Sequence, residues 1–439
     1  MSDFIANAAA IAASPLTWLQ DKTQQGKQAW LGHRFPTRKT ENWKYTNLRA
    51  LEQGDYLRAA NIGAAPEALP QHLNIAGLEA VKLVFVNGQF VASLSDDLAL
   101  ANVAGLELTL FSNATDAQKK AINEQLGQLV NDEKYEFSGL NTAQLNDGVY
   151  INVAKNQQVA KPIHIVWMTT AQDSAFTVPH RLLVNLETGA SACVIEQFVS
   201  GDEAQNSFTH SVSEFNVGEN ARLQHYRLQQ EQEDAIHIGG VFVRLDRSAD
   251  LDSFHMAFGS KIKRVDIEVQ HQGEGSTSKI NGVYLPKNNQ HIDYHTCIEH
   301  AVPHCTSQET FRGIIADSAH AVFNGRIHIH PDAQKTLAEL SNKNLLTSDK
   351  AQIDTKPELE IYADDVRCAH GATIAQLDEK SLNYLRTRGI SLDEAQVMLS
   401  YGFINELIND VALEPIGTYL RPILANRFAK EPSLVRHIA

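Results

Sequence analysis

The strongest constraint on the fold is a two-residue alternation that runs from about residue 150 to residue 375. Apolar and polar residues take turns in short segments such as Ile163-His-Ile-Val-Trp-Met168 and Ala192-Cys-Val-Ile-Glu-Gln-Phe198. Side chains that alternate in this way belong to extended strands with two different faces. Small or polar corners open the segments near Gly189, Glu219, Ser248, Gly275 and Cys305, at intervals of 30, 29, 27 and 30 residues. Further corners near Ala319, Ala333, Ala351 and Ala369 follow at about half that spacing. A repeat of this length made of strands alone predicts a solenoid with two or three strands per coil. An antiparallel sandwich would need regular hairpin turns. Asn87-Gly88 and Asp147-Gly148 stand before the run, and Asn281-Gly282 and Asn324-Gly325 lie inside apolar segments. The expected fold class is therefore mainly β, a right-handed parallel β-helix core flanked by N-terminal and C-terminal α-helical regions.

The flanks carry other signals. Residues 1–75 read as a helical region. Within it Leu16, Leu19, Trp30 and Leu31 form an apolar stripe that Gly32 ends, and Ala59–Gln71 is an Ala/Pro-rich linker. The segment Phe35–Thr46 is charged and aromatic, a surface connector that Trp43 and Tyr45 would anchor. Residues 76–149 form a mixed α/β connection. In it Asn87-Gly88 predicts a hairpin, and helices are expected over Ala114–Gln128 and Ser138–Leu145. The β-helix core then occupies 150–377. A helical domain follows over 378–439, with Asp378 as an N-cap and Gly389 as a terminator. Ser391–Glu394 makes a capping box that opens a helix with Leu392, Ala395, Leu399, Phe403 and Leu407 on its apolar side. Pro415 and Pro422 frame a last helical piece.

Charge and cysteine content narrow the function. A net charge of −14 opposes a general role in binding nucleic acid or an anionic membrane. Four scattered cysteines do not make a disulfide framework and fit a reducing compartment. The N-terminus lacks a basic signal-peptide region, and no apolar run is long enough to span a bilayer. A cytoplasmic protein is expected.

Two stretches carry candidate metal chemistry. Cys368 and His370 are two residues apart, so an extended strand puts them on one face, roughly 7 Å apart. They can be a buried apolar thiol and its neighbour, or two ligands of one ion. Two ligands do not hold an iron–sulfur cluster, which takes about four. The missing ones must then come from another strand or another chain. The second stretch, His291–Cys305, is denser. Read as a strand, it sets His291, Asp293, His295, Cys297 and Glu299 on one face, and His300 and His304 on the other. A solvated role competes there with a transition-metal site built from His295, Cys297, His300, His304 and Cys305. The chain has no phosphate-binding loop of the Gly-x4-Gly-Lys-Ser/Thr kind and no Gly-x-Ser-x-Gly elbow, so no nucleotide is expected on the chain itself.

Four stretches carry a family resemblance: Pro36–Thr46, Val322–Ile327, Asp354–Thr373 and Tyr384–Ile390. Together they resemble the SufD family of the SUF iron–sulfur cluster assembly system. The resemblance implies a non-catalytic scaffold subunit with a parallel β-helix core. It implies pairing with SufB through the β-helix and docking of the SufC ATPase on the C-terminal helical domain. Cys368 and His370 match the interface positions implicated in assembly, where a transient cluster or iron would be shared with SufB. A face of this kind also fits a homodimer when the chain is alone. The alternative is a metal-dependent β-helix enzyme acting on polysaccharide through the His291–Cys305 stretch.

Overall fold

The structure is a computed structural model that describes all residues except 1–2, 12–13, 55, 57–58, 60–65, 99–104, 202–203, 428, 430–433 and 435–439. Two sheets dominate the described residues. One has ten strands and the other nine, and successive strands from Val149 to Gln376 alternate between them. Each coil therefore contributes two strands. Each strand pairs in parallel with the strand one coil earlier, for example Ile236–Leu245 with Ile262–His271, and Leu337–Leu346 with Arg367–Gln376. Among the named strands of the described residues, the antiparallel pairs lie at the entry to the solenoid. There Val81–Val86 turns through Asn87 (φ 49°) and Gly88 (φ 81°) onto Gln89–Phe90, and Leu106–Leu110 pairs with Val149–Val153.

The inward row of every strand fills one continuous core that includes Val194, Leu223, Leu251, Ile280, Phe311, Phe323 and Leu340. Charged groups that enter it include paired ones. Arg227 Nη1 donates to Glu196 Oε1 at 2.8 Å, and Lys263 Nζ lies 2.8 Å from Glu231 Oε2. At Gly282 a side chain has no room, because a Cβ there would meet the Phe311 ring at 2.2 Å. The expected corners coincide with, or stand next to, residues of positive φ: Gly189, Asn220, Ser248, Gly275 and His304. Ala369 differs. It lies inside the strand Arg367–Gln376, and the corner precedes it, where Lys335 N donates to Asp365 O at 2.6 Å.

Helices cover the two outer faces. On the nine-stranded sheet, Trp30, Trp43, Leu48 and Phe137 pack against Phe208, Ile236, Ile238 and Ile262. The expected stripe holds for Leu16, Leu19 and Trp30, but Leu31 is exposed, because the helix Gln20–Gly32 turns it away from the sheet. The helix expected over Ala114–Gln128 forms over Asp116–Gln125 with a Thr115–Gln118 capping box, and the next forms over Glu136–Ala143. Residues 60–65 of the Ala59–Gln71 linker lie outside the described residues.

On the ten-stranded sheet, Ile404, Leu407, Ile408, Ile416, Leu420 and Leu424 pack against Ile195, Leu228, Met256 and Leu285. Asp378 and Ser391 cap their helices as expected, and Gly389 (φ 86°) ends the first. Leu392 faces solvent, so the buried seam of that helix runs instead through Ala395, Val397, Ile404, Leu407 and Ile408. Pro422 does not frame the last helix. It lies inside Glu414–Arg427, where burial of Leu420 and Leu424 offsets the backbone hydrogen bond that a proline removes. No helix among the described residues is long and apolar enough to cross a membrane.

Candidate functional site

The strand His291–His300 has the two faces that its alternation predicts, and the two do different things. Outward, Thr46 Oγ1 lies 2.8 Å from His291 Nε2 and donates to Asp293 Oδ2 at 2.5 Å. His295 Nε2 is 3.0 Å from Asp293 Oδ1, and Arg264 Nη1 is 3.2 Å from Asp293 Oδ2. Burial alone would raise the Asp293 carboxyl, but His295 and Arg264 beside it bring it below the ordinary range. Arg264 also stacks 4.2 Å over the Trp43 ring, and Trp43 Nε1 donates to Glu136 Oε2. The connector Phe35–Thr46 is thus fastened through Trp43 and Thr46, while Tyr45 is only half-buried. Further along the same face, the Cys297 thiol lies 3.7 Å from Arg326 Nη1, and burial pushes it up.

The five metal candidates in this stretch do not meet at one point. His295 and Cys297 face outward, and His304 sits on an exposed corner with positive φ, 3.7 Å from Glu274. His300 and Cys305 point inward and converge with His271, one ligand atom from each lying within 4.8 Å of the others. Burial lowers the His300 imidazole to about 4, and it takes His271 well below its ordinary value. Sequence spacing carried a faint signal of His271, which precedes His300 by one coil interval and pairs with it in register.

Cys368 and His370 lie at the far end of the solenoid. Their strand, Arg367–Gln376, ends the ten-stranded sheet, and Gln352–Ile361 ends the nine-stranded one. Cys368 stacks on buried Ala338, and His370 on buried Leu340. Both therefore belong to the inward row, but no further coil covers them. Cys368 is half-buried against the core, and His370 is exposed. Burial pushes the Cys368 thiol up, opposed by a backbone hydrogen bond from the strand below. Among the described residues the His370 side chain has no hydrogen-bond partner. Around them the last coil exposes Ile361, Tyr362 and Ile374, an apolar rim beside two unpaired strand edges. A thiol and an imidazole on this rim can take part in binding a soft or borderline metal. By themselves they leave the coordination incomplete.

Comparison with known proteins places most of the chain. Residues 2–165 match the SufBD protein N-terminal region, and residues 167–403 match the SufBD core domain of SUF system FeS cluster assembly. The iron–sulfur cluster assembly protein SufD of Escherichia coli is 35% identical over 390 residues, covering 88% of each chain. A SufBD family iron–sulfur cluster assembly protein of Synechocystis is 30% identical over 92% of this chain and 90% of its own. SufD of Bacillus subtilis is 25% identical over 67% of each. The chain belongs to the SufBD family of iron–sulfur cluster assembly proteins.

Proposed function

We propose that the chain is a non-catalytic scaffold subunit of a SUF assembly complex in the cytoplasm, and that Cys368 and His370 hold part of a nascent cluster or its iron at an interface with SufB. One observation carries the reading: the two side chains stand in the inward row of a coil that nothing covers. A partner solenoid that met the edges Gln352–Ile361 and Arg367–Gln376 would continue both sheets and bury Ile361 and Ile374. It would also bring its own ligands to the pair, giving the number that a cluster requires. The cluster is cargo in this scheme, and the chain binds no nucleotide itself. The same edges would pair two copies of the chain when SufB is absent.

The C-terminal helical domain, 378–439, is the proposed dock for the SufC ATPase. The helix Glu379–Thr387 has no buried residue and exposes Tyr384, and Leu392 is exposed beside it. The domain follows the Cys368 strand directly, so movement of one reaches the other. The remaining proposed divisions are 1–75, 76–149 and 150–377. A polysaccharide-acting enzyme would need His295, Cys297, His300, His304 and Cys305 in one site, and these occupy both faces of a strand and an exposed corner.

The test is anaerobic reconstitution with SufB and SufC. Cys368→Ala and His370→Ala should each abolish cluster assembly while the three subunits still copurify. Normal cluster yield from both variants would remove the proposed site.

A further inference from the structure

The solenoid interior holds a second thiol that the proposed assembly site does not use. Cys305 stands at the corner between His291–His300 and Thr306–Ile315 and is fully buried. His271 and His300 close successive strands of the nine-stranded sheet, and both are also fully buried. The three bring two imidazoles and a thiol together from consecutive coils.

One of the two imidazoles already has the hydrogen bonding of a metal shell. A ligating imidazole fixes one ring nitrogen with a hydrogen bond and turns the other to the ion. In His300, Nε2 lies 2.9 Å from Ser307 Oγ, and Nδ1 has no hydrogen-bond partner. His180, His255 and His330 also bury an unpaired ring nitrogen, so it is the convergence with His271 and Cys305 that singles His300 out. His271 has two serine contacts, Nδ1 to Ser276 Oγ at 2.8 Å and Nε2 to Ser278 Oγ at 3.0 Å. It can release one and keep the other. The Cys305 sulfur is 3.4 Å from Ser276 Oγ and donates to Pro303 O at 3.4 Å and Gly273 O at 3.5 Å, contacts to the two carbonyls that it gives up as the thiolate.

We propose that His271, His300 and Cys305 form a buried site for one zinc-class divalent ion that ties consecutive coils together. Two imidazole nitrogens and one thiolate suit zinc. The rings stack with centroids 4.4 Å apart and planes 12° apart, so binding requires His271 to turn about its Cβ–Cγ bond and exchange a serine contact for the ion. Cys305 binds as the thiolate, and its proton passes to solvent as the ion is taken up. Ser278, Ser307, Ala338 and Cys368 occupy one inward row. The ion would therefore sit about two strand spacings, roughly 10 Å, behind Cys368, as a separate site.

All three ligands are closed off from solvent, so the ion enters as the chain folds. The full chain is therefore to be produced with zinc or cobalt(II) present throughout folding and then dialysed against EDTA. One ion per chain should survive dialysis of the native protein and be lost on unfolding in denaturant. The cobalt form should show thiolate-to-cobalt charge-transfer absorption that disappears in Cys305→Ser and persists in Cys368→Ser. Ser307→Ala removes only the bond that orients His300, and should weaken retention about 10- to 100-fold in chelator competition. If Cys305→Ser does not fold, His300→Gln provides the same reading through metal content. A folded native chain with only trace metal, or an absorption that follows Cys368 and not Cys305, would overturn the site.

Discussion

Two histidines occupy the same inward row of the ten-stranded sheet and have opposite circumstances. The row runs through Val194, His225, Ser253, Ile280, Glu309, Leu340 and His370. In the middle coils His225 is sealed, with Nδ1 2.9 Å from Ser253 Oγ and Nε2 3.2 Å from Glu196 Oε1. Burial lowers its pKa, even though Glu196 pulls the other way. At the end of the row His370 is exposed. Backbone, register and inward direction are the same for both. What differs is the coil above, so covering decides whether an inward position serves the fold or remains available for chemistry.

The comparison breaks first at Glu196. Glu196→Ala leaves the Arg227 guanidinium buried without its carboxylate, and should cost about 3–5 kcal/mol in urea unfolding. A loss as small as that from a surface change would show that the middle coils are not sealed. Next is Glu309, which burial raises to about 7. Between pH 4.5 and 7 the folded chain keeps a proton that the unfolded chain has released. The stability this contributes is full below pH 4.5 and is lost as pH rises through 7, by about 3 kcal/mol at most. Glu309→Gln should abolish that part of the pH dependence, read as the difference between the two unfolding curves across the window.

The remaining tests address the uncovered end. Ile374→Lys places a charge on the exposed rim, and should abolish self-association in sedimentation and copurification with SufB while leaving the unfolding midpoint in place. The smallest stability effect belongs to His370→Ala, within about 0.5 kcal/mol of the native chain. A larger loss would mean that the end of the row is structural after all.

Much of this fold was legible because its signals are local. Strand alternation needs only neighbouring residues, and corners recur where the chain needs positive φ, which Gly189, Asn220 and Gly275 adopt more readily than most residues. The Ser391–Glu394 capping box is local too. Contacts between coils were less legible. His271 meets Cys305, and Arg227 meets Glu196, only because one coil separates them, and nothing in either neighbourhood announces the partner. The N-terminal connector was read from its aromatics, yet Thr46 holds it as firmly as Trp43 does, through His291 and Asp293 in a distant strand. Leu31 and Pro422 misled for a related reason, since the surface a helix packs against overrides its own pattern. At the candidate site, the pair Cys368 and His370 was visible in sequence. Its position on an uncovered coil depends on where stacking stops.

The continuous inward rows have a consequence for how such a molecule can change length. Adding one residue to a strand exchanges its faces, sending core side chains to solvent and surface charges inward. Adding or removing one whole coil preserves every row and every ladder. Length in this architecture is therefore quantised, and lineages can drift in size only by complete coils. A deletion of one coil between Ala319 and Ala351 that respected the rows would bring the exposed end nearer to the buried His271 corner and leave His271, His300, Cys305, Cys368 and His370 all in place.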